Sequence, residues 1–67
     1  MKVNGFIIEK NNNEGNNANL KDYLVFHPLY DGFFMVHDTN TLSEATSWCE
    51  EQDFENWTNE LSAVTIW

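Results

Sequence analysis

The stretch DYLVFHPLYDGFFMVHD, residues 22–38, decides the fold, because two apolar runs flank a turn that contains Gly32. Aromatic and β-branched runs joined by a short glycine-bearing loop predict a β-hairpin. A loop of Tyr30-Asp31-Gly32, with Gly32 in the left-handed position of a bulged turn, sets its register. Leu24, Phe26, Phe34 and Val36 then share one wholly apolar face. The other face carries Tyr23, Val25, His27, Phe33, Met35 and His37, a mixed set suited to partial exposure. A loop one residue shorter or longer would place His37 among the core residues, which the cost of burying a polar ring disfavours.

Downstream, Thr41-Leu42-Ser43-Glu44 has the form of a capping box. The Thr41 hydroxyl can accept from the Glu44 amide while the Glu44 carboxylate reaches back to the Thr41 amide, so a helix starts here. Leu42, Ala45, Trp48 and Cys49 recur at helical spacing and predict a core stripe, with Ser43, Glu44, Ser47, Glu50 and Glu51 facing water. Phe54, Trp57 and Leu61 keep helical spacing too, but at roughly 100° per residue they lie well round from the Leu42 stripe. One straight helix cannot bury both sets, and the sequence leaves residues 54–60 open between a short second helix and a turn. The ending SAVTIW is rich in β-branched residues, which predicts a closing strand from about Leu61 to Ile66.

Upstream, Val3 to Glu9 reads as a first strand and the Asn-rich residues 11–19 as a mobile polar loop. The expectation is one α+β domain over residues 1–67. It has a three- or four-stranded antiparallel sheet in the order β-β-β-α-β, with one amphipathic helix packed on one face. A chain of 67 residues supports a single core and only marginal stability. Five Phe, three Trp and two Tyr supply the apolar area that a chain this short needs in order to fold.

Charge is the most informative functional feature. The net charge is −8, and it is unevenly placed. Lys2, Lys10 and Lys21 nearly balance Glu9, Glu14, Asp22 and Asp31 in the first half. The second half carries Asp38, Glu44, Glu50, Glu51, Asp53, Glu55 and Glu60 with no Lys or Arg. A one-signed negative surface repels phosphate backbones and anionic lipid, which argues against direct binding to nucleic acid or a membrane. The N-terminal apolar run is too short for a signal-peptide core, which with the single Cys49 predicts a cytoplasmic protein. Asn56-Trp57-Thr58 matches a glycosylation pattern, a chance match in that setting.

Catalytic and metal chemistry finds little support. His27, His37 and Cys49 are the only soft ligands, with the histidines diagonal on a sheet face and Cys49 on the core stripe. Cys49 as a nucleophile would sit beside Glu50 and Glu51, whose charges raise a thiol pKa, the wrong direction for reactivity. Glu50 and Glu51 as an acid–base pair would need a concave site between them. Gly5, Gly15 and Gly32 stand too far apart to form a phosphate loop. Tyr23, Phe33, Trp57 and Trp67 lack the basic groove that accompanies a base-stacking platform.

The expectation is therefore no enzymatic activity, no cofactor and no metal. The predicted function is that of a small binding module, an inhibitor or regulator, either monomeric or homodimeric. Its acidic helical face, formed by Glu44, Glu50, Glu51, Asp53 and Glu55 with Trp57, would dock on a basic surface of a partner protein. Were the helix to persist to residue 55, Glu44, Glu51 and Glu55 would share one side and create a one-signed field, the behaviour of a nucleic-acid mimic such as mobile elements encode. The ~10 Å between Glu44 and Glu51, however, does not reproduce the close spacing of phosphates. The alternative is an interaction or homodimer module that uses exposed aromatics, with the charge serving solubility only.

Overall fold

A computed structural model describes residues 1–15, 18–28 and 34–65, with the backbone alone for 63–65. The elements are β1 (Lys2–Val3), β2 (Phe6–Lys10), β3 (Tyr23–His27), β4 (Phe34–Thr39), α1 (Leu42–Glu51) and α2 (Phe54–Thr65). The strands form an antiparallel meander in the spatial order β1-β2-β3-β4. The class is α+β as expected, with two corrections to the element order: the N-terminal segment makes two strands, and the last described element is a second helix.

The first correction lies in Asn4-Gly5. Both residues have positive φ, 50° and 90°, the geometry of a two-residue type I′ turn, for which Asn-Gly is the favoured pair. The chain reverses there and Val3 pairs with Phe6. Asn4 does further work, since its Nδ2 donates to the carbonyls of Cys49 (2.8 Å) and Gln52 (2.9 Å). The Cys49 carbonyl, which also accepts from the Gln52 amide, and the Gln52 carbonyl thereby gain a side-chain donor at the end of α1.

The second correction concerns residues 61–65, which continue α2 and do not form a strand. Asp53 starts that helix: its carboxylate accepts from the Asn56 amide at 3.1 Å and its carbonyl from the Trp57 amide. Once Phe54 and Trp57 are seated on the core, extending the helix adds a backbone hydrogen bond per residue, which outweighs the modest β preference of Val64 and Thr65.

The hairpin face is also reversed from expectation. Leu24–Asp38 and Val25–His37 pair as a Tyr30-Asp31-Gly32 loop would require, but a bulge between Val25 and Phe26 shifts the remainder to Phe26–Met35 and His27–Phe34. The loop itself, with Gly32 and Phe33, lies outside the described residues. The helices cover the Tyr23/Val25/His27 face, and Phe34 is exposed at 40% while His27 is 1% exposed. Leu24 is buried on the opposite face, outside the aromatic core.

The core consists of Phe6, Ile8, Val25, Ala45 and Cys49, with Val3, Tyr23, Val36, Trp48, Phe54 and Trp57 packed around it. Phe6 is its hub. It meets His27, Trp48, Phe54 and Trp57 edge-on, with centroid separations from 5.1 to 6.4 Å. Such pairs each contribute about 0.5–1.5 kcal/mol beyond area burial. Leu42, expected on the core stripe of α1, is 42% exposed. Asn11 is buried at the start of the polar loop, its Nδ2 donating to the carbonyls of Leu20 and Lys21.

Candidate functional site

An open groove of about 340 Å³ runs between β4 and α1. His37 and Thr39 line it from the strand, and Ser43, Glu44, Ser47, Trp48 and Glu51 line it from the helix. The helical contributors recur at three and four residues, so they form one face of α1. No residue of β3 takes part, which places the groove along the open margin of the sheet. The His37 ring stacks on Trp48 at 4.5 Å and 12° and joins strand to helix.

The cap of α1 stands at one end of this groove. Thr41 Oγ1 accepts from the Glu44 amide at 3.1 Å as expected, while the Glu44 carboxylate takes the Thr41 hydroxyl proton, also at 3.1 Å, and not the Thr41 amide. Glu44 and Glu51 lie seven residues apart on the groove face, about 10 Å along the axis. Glu50 is exposed on the flank of α1. Glu55 is exposed on the first turn of α2, beyond the break at Gln52-Asp53. The expected single stripe of Glu44, Glu51 and Glu55 is therefore corrected to a pair on α1, because Asp53 starts a new helix and redirects the chain.

Two other expected contact residues have structural work to do. The Asp53 carboxylate caps α2. Trp57 is half-buried against Phe6 and Trp48, and its Nε1–H donates to Gln52 Oε1 at 3.0 Å. Asp38 accepts from the Lys21 amide at 3.0 Å and ties the β2–β3 connection to β4.

The candidate metal ligands are dispersed into separate roles, and no group of three His, Cys, Asp or Glu is placed to hold an ion among the described residues. Cys49 is fully buried, and burial first and the Glu50 charge second push its thiol up. That disfavours the thiolate, as the sequence implied.

His27 is stacked on Phe54 at 4.4 Å and 4°. Its Nε2 lies 2.8 Å from Thr58 Oγ1, whose own proton goes to the Phe54 carbonyl. Nε2 therefore donates, and Nδ1 carries the lone pair, with no partner among the described residues. Burial holds the His27 pKa below its ordinary value, with a weaker opposing pull from its own backbone.

Sequence reasoning missed three contributors. The Asn4-Gly5 turn had a readable signal in the Asn-Gly pair itself. The His27–Thr58 contact had none, since it joins residues 31 apart, and the groove had none because it depends on how α1 packs against the neighbouring strand β4.

Among the described residues no helix is long and apolar enough to cross a membrane. No protein-family model, no curated protein and no solved structure matches this chain.

Proposed function

We propose that this protein is a binding module that docks its acidic α1 surface on a basic surface of a partner protein and so blocks or regulates that partner. The observation that carries the reading is the pairing of Glu44 and Glu51 along one groove over Trp48, in a half-chain with seven acids and no Lys or Arg. Two carboxylates along one open groove suit a guanidinium or ammonium group, which gains charge-assisted hydrogen bonds there. The uncompensated field of Glu50 and Glu55 nearby steers basic surfaces toward the groove.

The aromatic-patch alternative loses weight because Trp48, Phe54 and Trp57 all pack against the core. The exposed large apolar side chains among the described residues are Met1, Phe34, Met35 and Leu42, of which one is aromatic.

The test changes Glu44, Glu50, Glu51 and Glu55 to Gln together and follows association with the partner isolated on the immobilised parent protein. Glutamine preserves the capping box. Association should slow about tenfold or more at low salt and lose most of its salt dependence. A variant that binds as fast and as tightly as the parent refutes the acidic surface as the functional one.

A further inference from the structure

The groove has a second property that charge alone does not give it: one of its walls is an open strand edge. β4 is the last strand of the sheet and spans Phe34–Thr39. Its ladder partner is β3 on one side, and on the other side its backbone bonds to no described residue. The opposite edge, β1, has two residues and offers little to pair with. Proteins blunt exposed edges with Lys, Pro, bulges or short strands. β4 holds neither Lys nor Pro, and its bulge falls mid-strand between Met35 and His37, leaving His37, Asp38 and Thr39 in regular register.

We infer that β4 accepts an extended basic segment of the partner as a fifth antiparallel or parallel strand, with the Arg or Lys side chains of that segment seated between β4 and α1 against Glu44 and Glu51. The inference rests on the acidic docking reading and specifies its geometry. Main-chain hydrogen bonds to the edge supply affinity, and the groove reads alternate side chains. Side chains on one face of a strand recur every ~7 Å, so two neighbours on the helix side fall within the ~10 Å interval between Glu44 and Glu51. Long cationic side chains span the remainder while their stems pack along the His37–Trp48 stack that lines the groove.

Charge also selects among occupants of this edge. A second copy paired through β4 would bring two α1 helices side by side, each with Glu44, Glu50 and Glu51 and neither with a Lys or Arg to offset them. Like charges in that arrangement disfavour the dimer. A basic strand removes the same repulsion, so the partner segment and not a second copy fits the edge.

Because strand addition draws mainly on backbone, the probe is a short peptide alternating arginine and valine, compared with the same peptide N-methylated at alternate residues. Binding is followed at low salt by titration, with amide exchange read residue by residue. The unmodified peptide should bind and protect amides within residues 34–39, N-methylation should weaken it by about tenfold or more through loss of edge hydrogen bonds, and Glu44→Gln with Glu51→Gln should weaken it several-fold. If the peptide binds with full dependence on Glu44 and Glu51 but N-methylation has no effect and β4 amides stay unprotected, strand addition is refuted and acidic docking stands. If the peptide does not bind at millimolar concentration and low salt, both readings fall. A β4-paired homodimer that the peptide leaves intact in sedimentation also overturns the inference.

Discussion

Gly5→Ala tests the link between the first turn and the second helix. A Cβ built on Gly5 lies 2.7 Å from two atoms of the Phe54 ring and 2.9 Å from a third. Ordinary carbon contacts begin near 3.5 Å, so the ring must retreat by roughly 0.8 Å. Phe54 has little freedom to do so, being stacked on His27 at 4.4 Å and set edge-on to Phe6 at 5.1 Å. Overpacking of this kind costs about 1–3 kcal/mol. The φ of +90° at Gly5 adds about 1–2 kcal/mol for any residue with a Cβ. The sum is about 2–5 kcal/mol.

Gly15→Ala is the internal control. Gly15 also has positive φ, at 56°, but nothing lies within 4 Å of its Cβ position, so only the conformational cost of about 1 kcal/mol applies. Urea unfolding followed by tryptophan fluorescence measures both, with an unchanged slope confirming a like-for-like comparison. Gly5→Ala should cost at least 1 kcal/mol more than Gly15→Ala. Combining Gly5→Ala with Phe54→Leu should recover part of the excess, as expected of residues in contact. Equal costs for the two glycines would refute the close approach of the β1–β2 turn to α2.

Thr41→Ala should lower stability by about 1 kcal/mol, measured by the same unfolding, because it leaves the Glu44 amide without its acceptor. Asn4→Asp should cost about 1–3 kcal/mol, since it exchanges two hydrogen bonds to the Cys49 and Gln52 carbonyls for a carboxylate at the negative end of α1, while Asn4→Gly, which keeps the turn, should cost less. For His27, the unfolded chain takes up a proton near pH 6.5 while the buried ring resists it. Its contribution to stability is thus complete above pH 6.5 and is lost as the pH falls through the lower folded pKa. Melting temperatures from pH 7.5 to 5 should fall more steeply for the parent than for His27→Phe, and parallel curves would show that the ring is not held neutral.

The α1 helix was legible because its signals are local. Thr41 and Glu44 sit three residues apart and identify the cap by themselves, and Ala45 and Cys49 lie on the apolar stripe that their spacing predicts. The charge asymmetry was equally plain, since no folding is needed to see that residues 34–67 hold no Lys or Arg. The Asn4-Gly5 reversal was also available locally, but the apolar run that follows it masks the turn within a continuous strand pattern.

The choice of core face was not available locally. Both faces of β3 are apolar enough to be buried, and the decision depends on a hydroxyl 31 residues away: Thr58 satisfies His27 Nε2 and makes burial of that ring tolerable. The same docking of α2 keeps residues 61–65 helical despite their β-branched content, because packing of Phe54 and Trp57 on Phe6 outweighs local propensity. The groove follows from that packing as well. The sequence by itself determined that the chain carries a capped acidic helix and a paired sheet, since hydrogen-bond caps and periodicity act over a few residues. Only the tertiary structure decided that Glu44 and Glu51 face an open strand edge across Trp48, because that juxtaposition depends on which sheet face the helices cover.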